Sequence, residues 1–236
     1  MSRTLFISDL HLDPARPDIT RALAGFLQNQ TTCDTLYVLG DLFEAWIGDD
    51  DDAPLAAEVA ALFRNFSAAG PALYFMRGNR DFLLGDDWCA RAAGTLLPDP
   101  SVVDIHGTPV LLMHGDSLCT GDAEYMAFRT QARDPQWQAQ VLARPLAERR
   151  ALAAQLRAMS KEANSNKAED IMDVTPAEVE REMLEHGVST LIHGHTHRPA
   201  WHQLTSGERW VLGDWDTHGW YLEITSGGFK LHKFVI

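Results

Sequence analysis

The segment Thr4-Leu5-Phe6-Ile7-Ser8-Asp9-Leu10-His11 decides the fold class, because a strand-like apolar run ends in two side chains that can bind a metal ion. Four further apolar runs end in similar short motifs. A strand that ends in a ligand delivers it to one edge of a sheet, where open α/β sheets bind their ligands. The four are Gly40-Asp41, Gly78-Asn79, His114-Gly115 and Gly194-His195-Thr196-His197.

The five motifs together contain seven candidate metal ligands. These are carboxylates, one amide and imidazoles without any thiolate, a set that suits first-row divalent metals. Seven ligands are too many for one ion, but they suit two ions that share a bridging carboxylate. Two-metal sites of this kind serve in-line displacement at phosphorus. The seven are Asp9, His11, Asp41, Asn79, His114, His195 and His197.

The order of these motifs resembles that of the calcineurin-like metallophosphoesterase superfamily, D-x-H, G-D-x-x-[D/E], G-N-H-[D/E], H and G-H-x-H. The resemblance covers the chain from Asp9 to His197. It implies a two-metal site with Asp41 as the bridging ligand. One ion is then held by Asp9, His11, Asp41 and His197, and the other by Asp41, Asn79, His114 and His195.

The third motif departs from the superfamily pattern, since it continues as Arg80 where most members have histidine. Arginine cannot donate its proton at neutral pH, but its planar guanidinium can grip phosphate oxygens bidentately. Three further segments accompany the arginine: Leu83-Leu84-Gly85, the polar run from Ser160 to Lys167, and Leu212-Gly213-Asp214-Trp215. Together these features resemble the UDP-2,3-diacylglucosamine pyrophosphatases of lipid A biosynthesis.

This resemblance implies hydrolysis of UDP-2,3-diacylglucosamine to 2,3-diacylglucosamine 1-phosphate and UMP. A hydroxide held by two ions, most often Mn²⁺ in the family, then attacks the phosphorus next to uridine. Asp41 and Arg80 are the predicted catalytic residues. Three alternatives stay open at this point: another metallophosphoesterase, such as a dinucleoside polyphosphate hydrolase or a phosphodiesterase, a metal-independent scaffold on the same fold, and a lipid carrier.

Substrate contacts are predicted from the motifs and from one helical segment. Its polar residues recur at i, i+3, i+7 and i+10, so they share one helix face. Such a face is also typical of a solvated surface, but the family resemblance favours ligand contact. The predicted contacts are Asn79, Arg80, Asp122, Tyr125, Arg157, Ser160, Asn164, Lys167 and His195.

The periodicity of apolar residues predicts a layered α/β sandwich with a helical cap insertion. Helices are predicted over Asp18–Gln30, Pro54–Ala69 and Asp81–Ala93, and the acidic run Asp49–Asp52 is interpreted as solvated residues before the second helix. From 116 to 187 the strand pattern disappears, so we predict a cap there and a core formed by 1–115 and 188–236.

Composition restricts the protein class further. Cys33, Cys89 and Cys119 have no metal-binding spacing and are predicted to be free thiols in a reducing compartment. No signal-peptide pattern or apolar run of about 20 residues is present, which predicts a cytoplasmic protein. The net charge of −13 argues against a nucleic-acid partner, whereas residues 129–167 carry +5. The family resemblance implies an amphipathic nucleotide-sugar lipid as substrate. With the basic stretch, it leads us to expect peripheral binding to the cytosolic face of the inner membrane.

Overall fold

A computed structural model describes residues 2–165 and 173–236, apart from the side chains of Asn164 and Ser165. The strands are β1 (Arg3–Ile7), β2 (Thr35–Leu39), β3 (Ala72–Met76), β4 (Thr95–Leu97), β5 (Ser101–Ile105), β6 (Thr108–Met113), β7 (Thr190–His193), β8 (Ala200–Gln203), β9 (Glu208–Val211), β10 (His218–Thr225) and β11 (Gly228–Val235). The α-helices are α1 (Pro17–Asn29), α2 (Pro54–Ala68), α3 (Asp86–Arg91), α4 (Ala123–Ala132), α5 (Pro135–Leu142), α6 (Leu146–Ser165) and α7 (Pro176–Glu185).

Two sheets form the centre of the protein. The first has the strand order β11-β10-β1-β2-β3-β4, and the second has the order β5-β6-β7-β9-β8. β1, β2 and β3 are mutually parallel, and β6 is parallel to β7. The carboxyl ends of these five strands therefore carry the five motifs.

Alternation along the strands divides the buried side chains between layers. In β1, Phe6 packs between the two sheets, whereas Leu5 and Ile7 pack with α1 and α2 on the outer face of the first sheet. On the outer face of the second sheet, α7 contributes Val179 and Met183 to a cluster with β6 and β7. The result is a four-layer sandwich with helices on both outer faces, which confirms the predicted fold class.

The helix predicted over Asp81–Ala93 is wrong at its start. The carboxylate of Asp81 is fully buried and accepts hydrogen bonds from backbone N–H groups of the second and third motifs, so residues 81–85 form a loop. α3 begins only after Gly85. The short strands β4 and β8 were not predicted.

The helices α4 to α6 come first after the fourth motif and are called the insertion here; α7, which also precedes the fifth motif, is not part of it. The acidic run pairs with the insertion, although Asp50 and Asp52 remain exposed, as the interpretation of that run as solvated expects. Arg149 of α6 binds the Asp50 carboxylate through Nη2 at 2.5 Å, and Arg150 pairs with Asp51 and Asp52. The division into cap and core stays a prediction, and its second boundary depends on α7, which packs on the second sheet.

The three cysteines are buried and form no disulfide. Among the described residues, none of the helices combines the length and the apolar character that crossing a bilayer requires.

Candidate metal centre and phosphate site

The backbone of the motifs is held in an uncommon conformation. Asp9, His11, Asp41, His195 and His197 have φ angles of 56°, 49°, 50°, 68° and 55°. These five are among only seven non-glycine residues with positive φ in the part of the chain that the structure describes. Such residues each cost about 1–3 kcal/mol and cluster at functional sites, where the surrounding structure holds them. The strain therefore coincides with the predicted ligands.

Close backbone approach explains the glycine of the second motif. Gly40 has a φ of 87°, and a Cβ atom there would lie 2.6 Å from His114 Nδ1 and 2.7 Å from the backbone of Gly78. Only glycine fits this position without displacing the strand ends. The Asp9 N–H also donates to the Gly40 carbonyl at 3.1 Å, so the first and second motifs lie side by side.

One group of side chains lies at the junction of the first and fifth motifs. His197 Nε2 is 3.4 Å from Asp9 Oδ1 and 3.2 Å from His11 Nε2. His11 Nδ1 lies 3.9 Å from Asp41 Oδ2. These are the four residues that the resemblance assigns to one ion.

A second group lies at the third, fourth and fifth motifs. Asn79 Oδ1 is 2.9 Å from His114 Nε2 and 2.8 Å from His195 Nδ1. His114 Nε2 also lies 3.7 Å from Asp41 Oδ1, so Asp41 faces both groups. The other ring nitrogen of His114, Nδ1, is 2.9 Å from the Leu39 carbonyl, a contact that orients the ring with Nε2 toward the site.

These residues fit a divalent metal. Ligand atoms of Asp9, His11 and His197 all lie within 4.8 Å of one another, and so do those of Asp9, Asp41 and His114. Asp9 Oδ1 and His11 Nδ1 are buried without a hydrogen-bond partner, although buried polar atoms are nearly always paired. A cation is the natural partner for such an oxygen.

The electrostatics of the site also favour a cation. Burial, together with the nearby carboxylates of Asp81 and Asp9, raises the pKa of Asp41 to about 6 against the opposing charge of His114. Burial disfavours protonated His114, yet the carboxylates of Asp41 and Asp9 raise its pKa to about 9. Burial and the charge of His114 lower the pKa of His195 to about 4. Carboxylates are thus crowded in a buried place, where a cation would stabilise their ionised forms.

Two arginines converge at the mouth of the site on one acidic side chain. Arg80 pairs with Glu44 through Nη1, and its Nε lies 3.6 Å from Asp41 Oδ2. Arg157 of α6 donates from Nε to Glu44 Oε1 at 3.0 Å. Glu44 was not among the predicted site residues, although it occupies the final acidic position of the G-D-x-x-[D/E] pattern.

A buried carboxylate connects the insertion to the fourth motif. Asp116 Oδ2 accepts from the Tyr125 hydroxyl at 2.6 Å and from Arg129 Nε at 3.0 Å, and Arg133 Nη2 lies at 3.6 Å. Burial opposes ionisation of Asp116, but the arginines hold its pKa well below the usual range. The Tyr125 ring lies 5.9 Å from the His195 ring. Sequence reasoning missed Asp116, whose only signal is its position directly after His114-Gly115.

A cavity of about 250 Å³, called the insertion cavity here, lies between the insertion and the mouth of the site. Its walls are mostly apolar and come from both sides: Trp46, Ile47, Phe82, Leu83, Phe128, Trp137, Val141, Leu152, Leu156 and Met159.

The structure brings five of the predicted substrate contacts to the insertion cavity. Asp122 lies instead at the N-terminus of α4, where its side chain accepts from the Tyr125 N–H at 3.0 Å. Lys167 and the side chain of Asn164 lie outside the described residues. The five that line the cavity are Asn79, Arg80, Tyr125, Arg157 and Ser160.

Comparisons with known proteins place this geometry in a family. A model of the calcineurin-like phosphoesterase family matches residues 2–199. The chain is 58% identical over 238 residues to the UDP-2,3-diacylglucosamine hydrolase of Cellvibrio japonicus, with 99% of each chain covered. It is 56% identical to the enzyme of the same name from Marinobacter nauticus, with 93% of this chain and 92% of the relative covered.

Solved structures agree on the fold. A novel archaeal phosphodiesterase matches with a TM-score of 0.52 at 11% identity and covers 99% of both chains. A hypothetical protein from Pyrococcus horikoshii OT3 matches with a TM-score of 0.53 at 12% identity, covering 100% of this chain and 88% of the other. The family match spans all five motifs. The chain therefore belongs to the calcineurin-like phosphoesterase family.

Proposed function

We propose that the protein hydrolyses the pyrophosphate bond of UDP-2,3-diacylglucosamine and releases UMP and 2,3-diacylglucosamine 1-phosphate. The observation that carries this proposal is that an apolar cavity opens directly onto the candidate metal centre at Arg80. A lipid-linked diphosphate needs an apolar site and a phosphate site side by side. The relatives above, at 56–58% identity over nearly the whole chain, are named for this substrate.

Each side chain at the mouth has a role in this reaction. The Arg80 guanidinium orients the diphosphate and offsets the charge that develops on its oxygens. Arg157 lies on the opposite wall of the mouth, and both arginines contact the carboxylate of Glu44 in the free protein. A substrate phosphate can take the place of that carboxylate between them. No histidine is needed at position 80, since a phosphate leaves more readily than an alkoxide. Asn79, Tyr125, Ser160 and His195 complete the proposed contacts, with Asp122 holding the start of α4.

The proposed cofactor is a pair of Mn²⁺ ions. Asp9, His11, Asp41 and His197 would hold one ion, and Asp41, Asn79, His114 and His195 the other. Bound ions of this kind lower the pKa of a water molecule and stabilise charge on phosphoryl oxygens. Asp41 suits the bridging role because its two oxygens face different groups, with His11 3.9 Å from Oδ2 and His114 3.7 Å from Oδ1.

We further propose that residues 116–187 act as a cap that holds the acyl chains, and that the protein docks peripherally on the cytosolic face of the inner membrane. Leu152, Leu156 and Met159 share one face of α6 and line the insertion cavity. Met159 is 57% exposed, so the apolar face continues from the cavity to the surface. An acyl chain can follow this face between bilayer and cavity.

The test is a turnover assay with UDP-2,3-diacylglucosamine in the presence of Mn²⁺, in the presence of a chelator, and after Mn²⁺ is restored. We expect UMP release only with the metal. A dinucleoside polyphosphate and a cyclic nucleotide serve as comparison substrates. Faster turnover of either comparison substrate, or binding of the lipid without product, would contradict the proposal.

A further inference from the structure

The candidate metal centre lies between two cavities of different character. The insertion cavity is apolar, as described above. A second cavity of about 390 Å³, called the polar cavity here, opens on the other side, where His11 and His197 form its inner wall. Arg80 lines both cavities. A volume of this size falls in the range of about 300–1,000 Å³ that is typical of small-molecule sites.

The polar cavity has an apolar floor. Leu10, Ile19 and Trp215 line it and are almost completely buried. Leu10 belongs to the first motif and Ile19 to the start of α1, so the floor is part of the packed core. These side chains close the bottom of the cavity, so a bound group would contact mainly its polar walls.

The outer wall of the polar cavity is built by ion pairs. Arg16 donates from Nη1 to Asp216 Oδ1 at 2.8 Å and from Nη2 to Asp18 Oδ2 at 2.9 Å. This arginine therefore joins the loop that follows β1 to the loop that follows β9. The two loops enclose the space between them next to the fifth motif.

The charges of the outer wall select against a phosphate. Asp13, Asp214 and Asp216 line this wall together with the single cation of Arg16, so negative charges predominate there. A second phosphate would be repelled. A ribose instead offers hydroxyl donors that carboxylates accept, and a pyrimidine base carries no charge that would be repelled.

We infer that the polar cavity binds the nucleoside end of the substrate, with the diphosphate at Arg80 and the acylated sugar in the insertion cavity; this inference rests on the proposed function. The diphosphate joins two groups of opposite character, a neutral polar nucleoside and an apolar acylated sugar. Two cavities of matching character lie on opposite sides of the candidate metal centre. The nucleoside subsite is therefore formed by the loops around Asp13, Arg16 and Asp216, and no part of it comes from the insertion.

The test is to fill the polar cavity and to measure binding instead of turnover. Ala15 lines this cavity and is exposed, so Ala15→Trp places a large ring there without removing a contact of the side chain. Ala57→Trp is the matched control, because Ala57 is exposed on α2 and lines neither the polar nor the insertion cavity. The probes are UMP and inorganic phosphate, titrated into the Mn²⁺-loaded protein.

We expect Ala15→Trp to raise the Kd for UMP at least about tenfold, which corresponds to about 1.4 kcal/mol. The Kd for inorganic phosphate should stay within about twofold in the same variant, because the phosphate site is untouched. An unchanged Kd for UMP, or an equal loss for both probes, would overturn the inference. So would an equal loss of UMP binding in the Ala57→Trp control.

A second measurement on the unsubstituted protein keeps the inference testable if Ala15→Trp folds poorly. UMP with a photoreactive 4-thiouracil base is irradiated on the Mn²⁺-loaded protein, and the labelled peptide is identified. Labelling within residues 10–19 or 213–217 supports the nucleoside subsite, and labelling within α4 to α6 refutes it. These binding experiments need no turnover, so their failure is distinct from failure of the proposed function, which the hydrolysis assay tests.

Discussion

The candidate metal centre and the insertion are held in place by different forces. The centre is formed by buried strand ends, whose backbone is fixed by ladder hydrogen bonds and by positive φ angles at its ligands. The insertion packs Ala132 and Val141 into the apolar core outside the first sheet and is also attached by ion pairs, such as those of Arg149 with Asp50 and Arg157 with Glu44. A rigid centre serves chemistry, whereas a separately anchored insertion can be adapted to the lipid. Substitutions in the two regions should therefore affect different measured quantities.

The largest effect is expected at the centre. Asp41→Ala removes the carboxylate that faces both groups of ligands and should lower kcat by about 1,000-fold or more, since several kcal/mol of transition-state stabilisation are lost. Asp87→Ala, at an exposed carboxylate of α3, is the control and should leave kcat unchanged. Near-normal activity of Asp41→Ala in the assay with Mn²⁺ would rule out the shared-ligand proposal.

Asp116→Asn tests the junction between the two regions. Loss of the buried charge leaves Arg129 and Arg133 without their anionic partner, which should lower the free energy of unfolding by about 3 kcal/mol. Because a neutral amide accepts from the Tyr125 hydroxyl more weakly than a carboxylate does, KM should rise more than kcat falls. Urea unfolding and steady-state kinetics measure these effects. A fall in kcat with an unchanged KM would mean that Asp116 acts on the centre and not on the insertion.

Arg80→His restores the residue that is common in the superfamily, and we expect it to impair this enzyme. A bidentate phosphate contact is lost, and no general acid is required in exchange. The expected loss in kcat/KM is about 100-fold, as for removal of one donor that stabilises developing charge. Arg64→His, on the exposed face of α2, is the control. Unchanged or improved hydrolysis would exclude the proposed role of Arg80.

Two neighbouring arginines of α6 sharpen the comparison within the insertion. Arg149 is 4% exposed and donates to the Ile47 carbonyl at 2.7 Å and to Asp50, so Arg149→Ala should cost about 2 kcal/mol of unfolding free energy. Arg150→Ala should cost less than about 1 kcal/mol, because its ion pairs are exposed. Urea unfolding of both variants checks this, and equal losses would show that burial does not set the strength of these pairs.

The smallest effect concerns membrane docking. The test uses Arg144→Glu and Lys161→Glu together, because both cations are exposed on the insertion. Arg149 is left unchanged, because it is buried and paired with Asp50. Each cation contributes about 1 kcal/mol of attraction near an anionic surface, and the attraction weakens with salt. Co-sedimentation with anionic vesicles should therefore fall in the double variant and at high salt. Binding that is insensitive to both changes would leave the insertion without this role.

The sequence predicted the fold class and the meeting of the candidate ligand side chains, because both depend on local patterns. An apolar run followed by a polar motif specifies a strand and its functional end from a few consecutive residues. Five such runs, in the order of one superfamily, specify which side chains meet. The same reasoning failed at α3, where Asp81 binds backbone N–H groups that lie far from it in sequence, such as that of Leu42.

What the sequence by itself determined was the layered fold, the seven candidate ligands and the presence of an arginine directly after the third motif. Only the tertiary structure decided that Glu44 joins Arg80 to Arg157, that the acidic run anchors α6, that Asp116 anchors α4 and that a polar cavity lies opposite the apolar one. The physical reason is the sequence separation of the residues involved. Strands and ligand motifs are formed by consecutive residues, whereas these ion pairs and cavities form only where distant segments pack together.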